Sequence, residues 1–394
     1  MSPTDEAGIV AAIQHAAGPL AIQGHGSKLA MLRPVQAAAT LSTAGLTGVT
    51  FYSPNELVIS ARAGTTIAAL RDVVAERGQH LIAEPPELGA LLGSDQPGTI
   101  GGAVATNLSG PRRVAWGAMR DHVMGLRAVN GRGEMLRAGG RVLKNVTGLD
   151  FCKLLSGSHG TLAVITEVTL KVLPAPERRA TLVLKGQNPA QAVAALSAAL
   201  GSPYAVSGAA WLPADLAALV PSLGWLDGNV TVARLEDFAP SVAYRGERLR
   251  AELAEFGAVE MLDDAASAAL WADIGNVTPL VGAPGAIWKL SVRPSQGAGI
   301  VAAMQAIGAT CLLDWGGGLV WVSGPATEAA HHAVTTAASA AGGVWTLMRA
   351  PDPLRSAVAV VPPEPAAMAA IGARVKAAFD PRGILNPGRM VAGA

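Results

Sequence analysis

The stretch 97–107, PGTIGGAVATN, constrains this chain more than any other part of it. Small side chains fill it, Gly101 and Gly102 are adjacent, and Asn107 closes it. Glycine lets a backbone come close to a ligand or take φ > 0 at little steric cost. A run of this kind opening a short Ala-rich helix would present free N–H groups to an anion such as a diphosphate. Taken alone, two glycines before a helix also make an ordinary tight turn, so the meaning of the run depends on its neighbours.

A second glycine-rich turn lies upstream, Gln23-Gly24-His25-Gly26-Ser27-Lys28, after the apolar run Leu20-Ala21-Ile22. A strand followed by G-x-G-S-K is the arrangement of an anion-cradling loop, with backbone amides and the Ser27 hydroxyl aimed at one centre. It is not a P-loop, because the four residues between the first glycine and the Gly-Lys pair are missing. It is not the G-x-G-x-x-G dinucleotide fingerprint either, since no third glycine follows at that spacing. Downstream come GAMRDHVMGL (117–126), the hairpin signal Asn130-Gly131-Arg132-Gly133, KNVTGLD (144–150) and GSHGTLAVITEVTLK (157–171).

These blocks, in this order, resemble the FAD-binding domain of the vanillyl-alcohol oxidase and p-cresol methylhydroxylase (PCMH) superfamily. Within it, GTIGGAVATNLSGPRR, RDHVMGLRAVNGRGEMLRAGG, RVLKNVTGLDFCKLL and the terminal FDPRGILNPGRM are most similar to the FAD-binding E subunits of bacterial glycolate oxidases. The resemblance covers residues 20–175 and the C-terminal tail. It implies an α+β fold: a PCMH-type FAD-binding domain of two α+β subdomains (1–175), a smaller cap domain of antiparallel sheet and helices (176–364), and a helix and tail (365–394) that return to the FAD domain.

By the same resemblance, Gln23, Gly24, His25, Gly26, Ser27 and Lys28 would wrap the FAD diphosphate. Pro97, Gly98, Thr99, Ile100, Gly101, Gly102, Thr106 and Asn107 would line the diphosphate and the flavin ring, with Arg120 and Asp121 nearby. Backbone around Gly160 and Ile165 would hold the adenosine half, and Asn386 would come close to the cofactor. Some superfamily members attach FAD covalently to a histidine in the first loop, directly before Ser or Asn. Here Gly26 separates His25 from Ser27, so the FAD is expected to be noncovalent.

Composition narrows the class further. Half of the 394 residues are hydrophobic, 15% are charged and 4% aromatic, the composition of a densely packed protein of small side chains. Its length allows two or three domains. A net charge of +1 gives no case for nucleic acid or an acidic membrane surface. Arginines cluster between Arg112 and Arg141 against only Asp121 and Glu134. That pattern fits a solvated face, or a local field suited to a diphosphate, a carboxylate substrate or an acidic partner.

The first 27 residues lack Lys and Arg but carry Asp5 and Glu6, which argues against a secretory signal. The windows 294–313 and 329–348 lack formal charge but are broken by Gly, Ser, Gln, Thr or His, unlike a membrane span. Cys152 and Cys311 form no CxxC pair, exclude a four-cysteine cluster within the chain, and suit a reducing cytoplasm. A cytoplasmic location is therefore expected, with any membrane association through partner subunits.

Along the chain, Thr4 is placed to cap a helix over 5–16 and Thr65 one that stops at Gly78. Strands are expected at 20–23, 57–61, 81–83, 123–129, 134–137 and 161–172, with a boundary at Pro174-Ala175-Pro176. Beyond it lie seven of the eight tryptophans. Strands at 181–185, 230–235, 287–292 and 319–322 alternate there with helices at 189–199 and 239–256, an antiparallel sheet with helices on one face. A last helix spans 365–379. His331 and His332 fall on an Ala-rich helix, where adjacent residues point about 100° apart and do not share a metal.

The hydroxyacid dehydrogenase relatives carry a cap-domain constellation like H-x-x-H-x-G-D-G-N-x-H, which binds a divalent metal. None of the seven histidines here (His15, His25, His80, His122, His159, His331, His332) belongs to such a motif, so no metal site is expected. Oxidising a 2-hydroxy acid needs a base for the hydroxyl proton and an anchor for the carboxylate. The resemblance thus implies a subunit of a glycolate oxidase, working with a sister FAD-containing catalytic subunit and an iron–sulfur subunit, and relaying electrons or supporting assembly. No catalytic residue is assigned. Two alternatives stay open: an independent FAD-dependent 2-hydroxyacid dehydrogenase anchored by Arg120 or Arg293, or a non-catalytic structural subunit.

Overall fold

The computed structural model describes residues 1–140 and 149–393. The motif residues 141–148, RVLKNVTG, lie outside the described residues. The chain divides into two compact units of comparable size: Met1–Ser109 with Gly117–Ala175 and Pro363–Ala394, and Gly110–Trp116 with Pro176–Pro362.

The first unit contains a parallel pair, β1 (Leu20–Gln23) and β2 (Ala39–Ser42). Its main sheet comprises β3 (Val49–Ser53), β4 (Val58–Arg62), β5 (Gln79–Leu81), β6 (Val123–Asn130), β7 (Met135–Gly139) and β8 (Ala163–Pro174). The order is β3-β4-β8-β6-β7, antiparallel throughout, with β5 also paired to β8. β8 is buried along nearly its whole length because apolar layers cover both faces of the sheet. On one side Ile59, Val168 and Leu126 meet Ile67 and Leu70 of the helix Ile67–Ala75 and Val104 of the helix Ile100–Thr106. On the other, Val129 and Val164 meet Ile9 and Ile13 of the first helix, Leu20 and Leu41, and Ile384 and Leu385 of the tail.

Local chemistry sets most boundaries, with small shifts from expectation. The first helix is Glu6–Gln14, capped by Asp5 accepting from Gly8 N–H, not by Thr4. The second is capped by Thr66, which accepts from Ala69 N–H, not by Thr65; the Thr65 hydroxyl instead accepts from Gly48 N–H at 3.0 Å. The hairpin between β6 and β7 turns through residues 131–134, held by Asn130, whose Oδ1 accepts from the N–H groups of Arg132 and Glu134. The tail pairs with β1 through Leu20 N–H to Ile384 O at 2.7 Å, and so completes the layer that begins at the first helix.

The second unit carries β9 (Arg178–Lys185), β10 (Gly208–Leu212), β11 (Val230–Asp237), β12 (Val259–Leu262), β13 (Ala286–Ser291), β14 (Thr310–Asp314), β15 (Leu319–Gly324) and β16 (Val344–Arg349). They form one antiparallel sheet in the order β12-β9-β11-β10-β14-β15-β13-β16. Side chains alternate across a strand, and this register sorts the covering helices. Trp288 Nε1 donates to His331 on the helix Glu328–Ala340, which packs against one face. Thr181 and Arg234 point to the opposite face, where Trp271 of the helix Asp264–Asn276 donates to Thr181 Oγ1 and lies under the Arg234 guanidinium. Helices therefore cover both faces, not one. His331 is a core residue; burial, with His332 beside it, holds its pKa below the usual value.

Residues Gly110–Trp116 group with the second unit for a specific reason. Arg112 makes a bidentate pair with Glu236 (2.9 and 2.6 Å), and Trp315 Nε1 donates to Gly110 O at 3.1 Å. Among the described residues no helix is long and apolar enough to cross a membrane.

Candidate functional site

A cleft of about 110 Å³ opens in the first unit. The turn after β1 forms one wall. Gly26 sits at φ +90°, a conformation open to glycine. Ser42 Oγ donates to Gly24 O at 2.8 Å and Thr43 N–H to Gln23 O at 2.8 Å, tying the turn to the strand beside it. The tail holds its far end: Arg389 donates to the carbonyls of Lys28 (2.8 Å), Leu29 (3.2 Å) and Arg33 (2.9 Å). With its carbonyls bound outward, the turn leaves its donors unused. Among the described residues, the N–H groups of Gly24, His25, Gly26, Ser27 and Lys28 donate to nothing, and the Ser27 hydroxyl has no partner.

Two side chains on this wall carry the same signature. Lys28 has neither a hydrogen bond nor an ion pair to its ammonium among the described residues. Burial lowers its pKa, and the charge of Glu87 offsets this only in part. His25 Nε2 is buried without a hydrogen-bond partner. Consecutive unpaired amides beside an unpaired cation form a concavity suited to a phosphate-bearing ligand.

The helix Ile100–Thr106 forms the facing wall, but not as an open array of amides. Ile100 N–H donates to Thr65 O (2.9 Å), Gly101 N–H to Ala63 O (2.9 Å) and Gly102 N–H to Thr99 Oγ1 (3.1 Å). The free donors expected from PGTIGG are therefore consumed by the protein itself. Its glycines serve close approach instead. A Cβ on Gly101 would stand 2.6 Å from Ala63 Cβ, and one on Gly24 would stand 2.6 Å from Thr99 Oγ1.

The cleft brings together Gln23, Gly24, His25, Gly26, Ser27, Lys28, Thr99, Gly101, Gly102, Thr106, Gly160, Ile165 and Asn386. It does not gather the other expected residues. Ile100 is fully buried, and Gly98 N–H is bound by Glu87 next to Pro97. Asn107 accepts from Arg120 N–H, and the side chains of Arg120 and Asp121 are half-exposed and 3.9 Å from each other. Thr43, His159 and Arg389 line the cleft without having been anticipated. Arg389, two residues beyond Pro387 in the terminal NPGRM, had a motif neighbour that could have drawn attention to it; Thr43 had none. Among the described residues no three His, Cys, Asp or Glu side chains gather as a metal site.

Fold and cleft define an FAD-binding oxidoreductase, and an FAD binding domain family model matches residues 1–139. The chain is 34% identical over 376 residues to the glycolate oxidase subunit GlcE of Escherichia coli (strain K12), covering 95% of this chain and 93% of that protein. It belongs to that family. The glycolate oxidase subunit GlcD of Bacillus subtilis (strain 168) is 41% identical over 23% of this chain and 19% of its own length. The solved 4-ethylphenol oxidase from Gulosibacter chungangensis shares the fold, with a TM-score of 0.70 at 14% identity over all of this chain and 88% of that one.

Proposed function

We propose that the chain is the FAD-carrying subunit of a multi-subunit enzyme that oxidises glycolate to glyoxylate, alongside a sister flavoprotein and an iron–sulfur subunit. The observation that carries this reading is collinearity with glycolate oxidase subunit GlcE over 95% of the chain. The cleft supports it chemically.

The amides of residues 24–28, the Ser27 hydroxyl and the Lys28 ammonium would hold the diphosphate of FAD, which supplies two-electron redox chemistry when bound. A diphosphate would give the Lys28 ammonium a direct ion-pair partner, which Glu87 supplies only at a distance, and give His25 Nε2 a polar partner. Gly102 and Thr106 would border the dinucleotide on the facing wall, and Gly160, His159 and Ile165 would close the far end. Asn386 and Arg389 act on this site by fixing β1 and the turn. Binding through these groups is noncovalent, so acid precipitation should release the flavin into the supernatant. The protein's location is in the cytoplasm, with contact to a membrane only through partners.

The test is reconstitution. The purified chain alone should hold FAD but not turn over glycolate or D-lactate; activity should appear when the sister flavoprotein and iron–sulfur subunit are co-expressed. Dye-linked turnover by the chain alone at about 1 s⁻¹ or more would establish an independent dehydrogenase instead.

A further inference from the structure

The turn that carries Gly160 is held on both sides of that residue. Asn386 Nδ2 donates to His159 O at 2.8 Å, and Lys376 Nζ donates to Thr161 O at 2.7 Å. Gly160 itself is buried on the cleft wall at φ +71°. Among the described residues its own N–H and C=O bind nothing. A buried residue with both backbone groups unmatched by protein is rare, and here both are left for the ligand of the cleft.

Lys376 stands at the centre of this arrangement. It lies in the last turn of the helix Ala366–Phe379. Each of its ammonium donors is used: on Thr161 O, on Leu385 O at 3.0 Å and on Asp380 Oδ2 at 2.8 Å. The Asp380 carboxylate is fully buried and also accepts from the N–H groups of Ile384 (3.2 Å) and Leu385 (2.8 Å). Leu385 is thereby held at both backbone groups. The next residue is Asn386, whose own N–H donates to Leu20 O at 3.0 Å. One ammonium therefore fixes the spacing between the Gly160 turn and the tail segment that carries Asn386.

The helix does not need this reach for its own sake. A cation near a helix C-terminus ordinarily binds the last carbonyls of its own helix. Lys376 instead crosses to a turn 215 residues earlier. The helix meets the core through Phe379, whose ring packs edge-on against Phe151 at 5.6 Å.

We propose that Lys376 is a positioning residue for the cofactor: by holding Thr161 O and Leu385 O together, it aims the N–H and C=O of Gly160 into the cleft that binds FAD. This role rests on the reading of that cleft as the FAD site. Lys376 touches no reacting atom and acts only through the turn and the tail.

The test takes the full-length chain stripped of flavin, as the parent, as Lys376→Met and as the double variant Lys376→Met/Asp380→Asn. Each is melted, then titrated with FAD by fluorescence well below its melting temperature. Lys376→Met strands a buried carboxylate and should melt below the parent. The double variant removes that stranded charge and should recover most of the loss. Neither variant can hold Thr161 O, so both should bind FAD about tenfold or more weakly than the parent. An ion pair with only a structural role would not separate affinity from stability in this way. If one variant does not fold, the other carries the comparison. FAD affinity within about threefold of the parent in a folded variant would overturn the proposal. A parent chain that binds no FAD would overturn the reading of the cleft, and this role with it.

Discussion

Asn386 grips Ile22, a residue 364 positions earlier, through both of its backbone polar groups. Its Oδ1 accepts from Ile22 N–H at 2.7 Å while its Nδ2 donates to Ile22 O at 3.3 Å and to His159 O at 2.8 Å. One buried amide thus joins β1, the turn at Gly160 and the C-terminal tail. Its backbone is left-handed, at φ +43°, which asparagine tolerates better than most residues. Gly160 is required beside it, since a Cβ there would stand 2.9 Å from Asn386 Nδ2.

Asn386→Ala should destabilise the protein by about 2–4 kcal/mol, because it strands a buried N–H and two carbonyls and places alanine in a left-handed conformation. Urea unfolding measures this, and flavin should be lost at lower denaturant than in the parent. A stability change below about 0.5 kcal/mol would remove the tail from its structural role.

Lys28→Met should move stability and affinity in opposite directions. The flavin-free protein gains on the order of 1 kcal/mol, since a half-buried ammonium with no ion-pair partner, only partly offset by the charge of Glu87, is replaced by an apolar chain of similar length. FAD affinity falls roughly 10- to 100-fold through loss of a charge-assisted contact. Thermal melts of the apoprotein and fluorescence titration with FAD report the two effects separately; an unchanged FAD affinity would exclude Lys28 from the diphosphate site.

The adjacent glycines should fail in different ways. A Cβ on Gly101 meets Ala63 Cβ at 2.6 Å and Ala63 O at 2.9 Å, so Gly101→Ala should cost about 1–3 kcal/mol of stability. A Cβ on Gly102 meets only Thr99 Oγ1 at 3.0 Å and Lys28 Nζ at 3.6 Å, on the cleft side. Gly102→Val should therefore fold and lose FAD. A folded Gly102→Val protein with stoichiometric FAD would show that the cofactor lies elsewhere.

The Glu236 cluster predicts acid sensitivity. Burial alone would raise the Glu236 pKa, but Arg234 and Arg112, with the Ser207 hydroxyl, hold it down to about 2. A carboxyl whose folded pKa lies below its unfolded value stabilises the fold above the unfolded pKa, near 4.5. That contribution is lost as pH falls from there toward 2. Glu236→Gln leaves Arg112 and Arg234 buried without their counter-charge and should cost about 3–5 kcal/mol at pH 7. The variant's stability should also change less than the parent's between pH 5 and 3; parallel acid-unfolding curves would contradict the assignment.

Local sequence determined a good deal of this. Leu20–Gln23 reads as a strand and is one, because apolar residues followed by Gly-x-Gly leave the chain few other conformations. The loop at Gly24 and Gly26 is legible for the same reason, as are the hairpin at Asn130 and the strands of the second unit at 181, 230, 287 and 319, where β-branched and aromatic residues concentrate. The order of the glycine blocks was enough to point to an FAD domain.

What the tertiary structure decided is which polar groups remain available. PGTIGG and QGHGSK both look like amide cradles in sequence. Yet Ala63 and Thr65, more than thirty positions from Gly101, absorb the donors of the first, while Ser42 and Arg389 bind the carbonyls of the second and leave its amides open. A hydrogen bond is spent on whichever partner folding brings within about 3 Å, and that partner's distance along the chain carries no local signal. The same physics placed Arg112 against Glu236, beyond the apparent domain boundary.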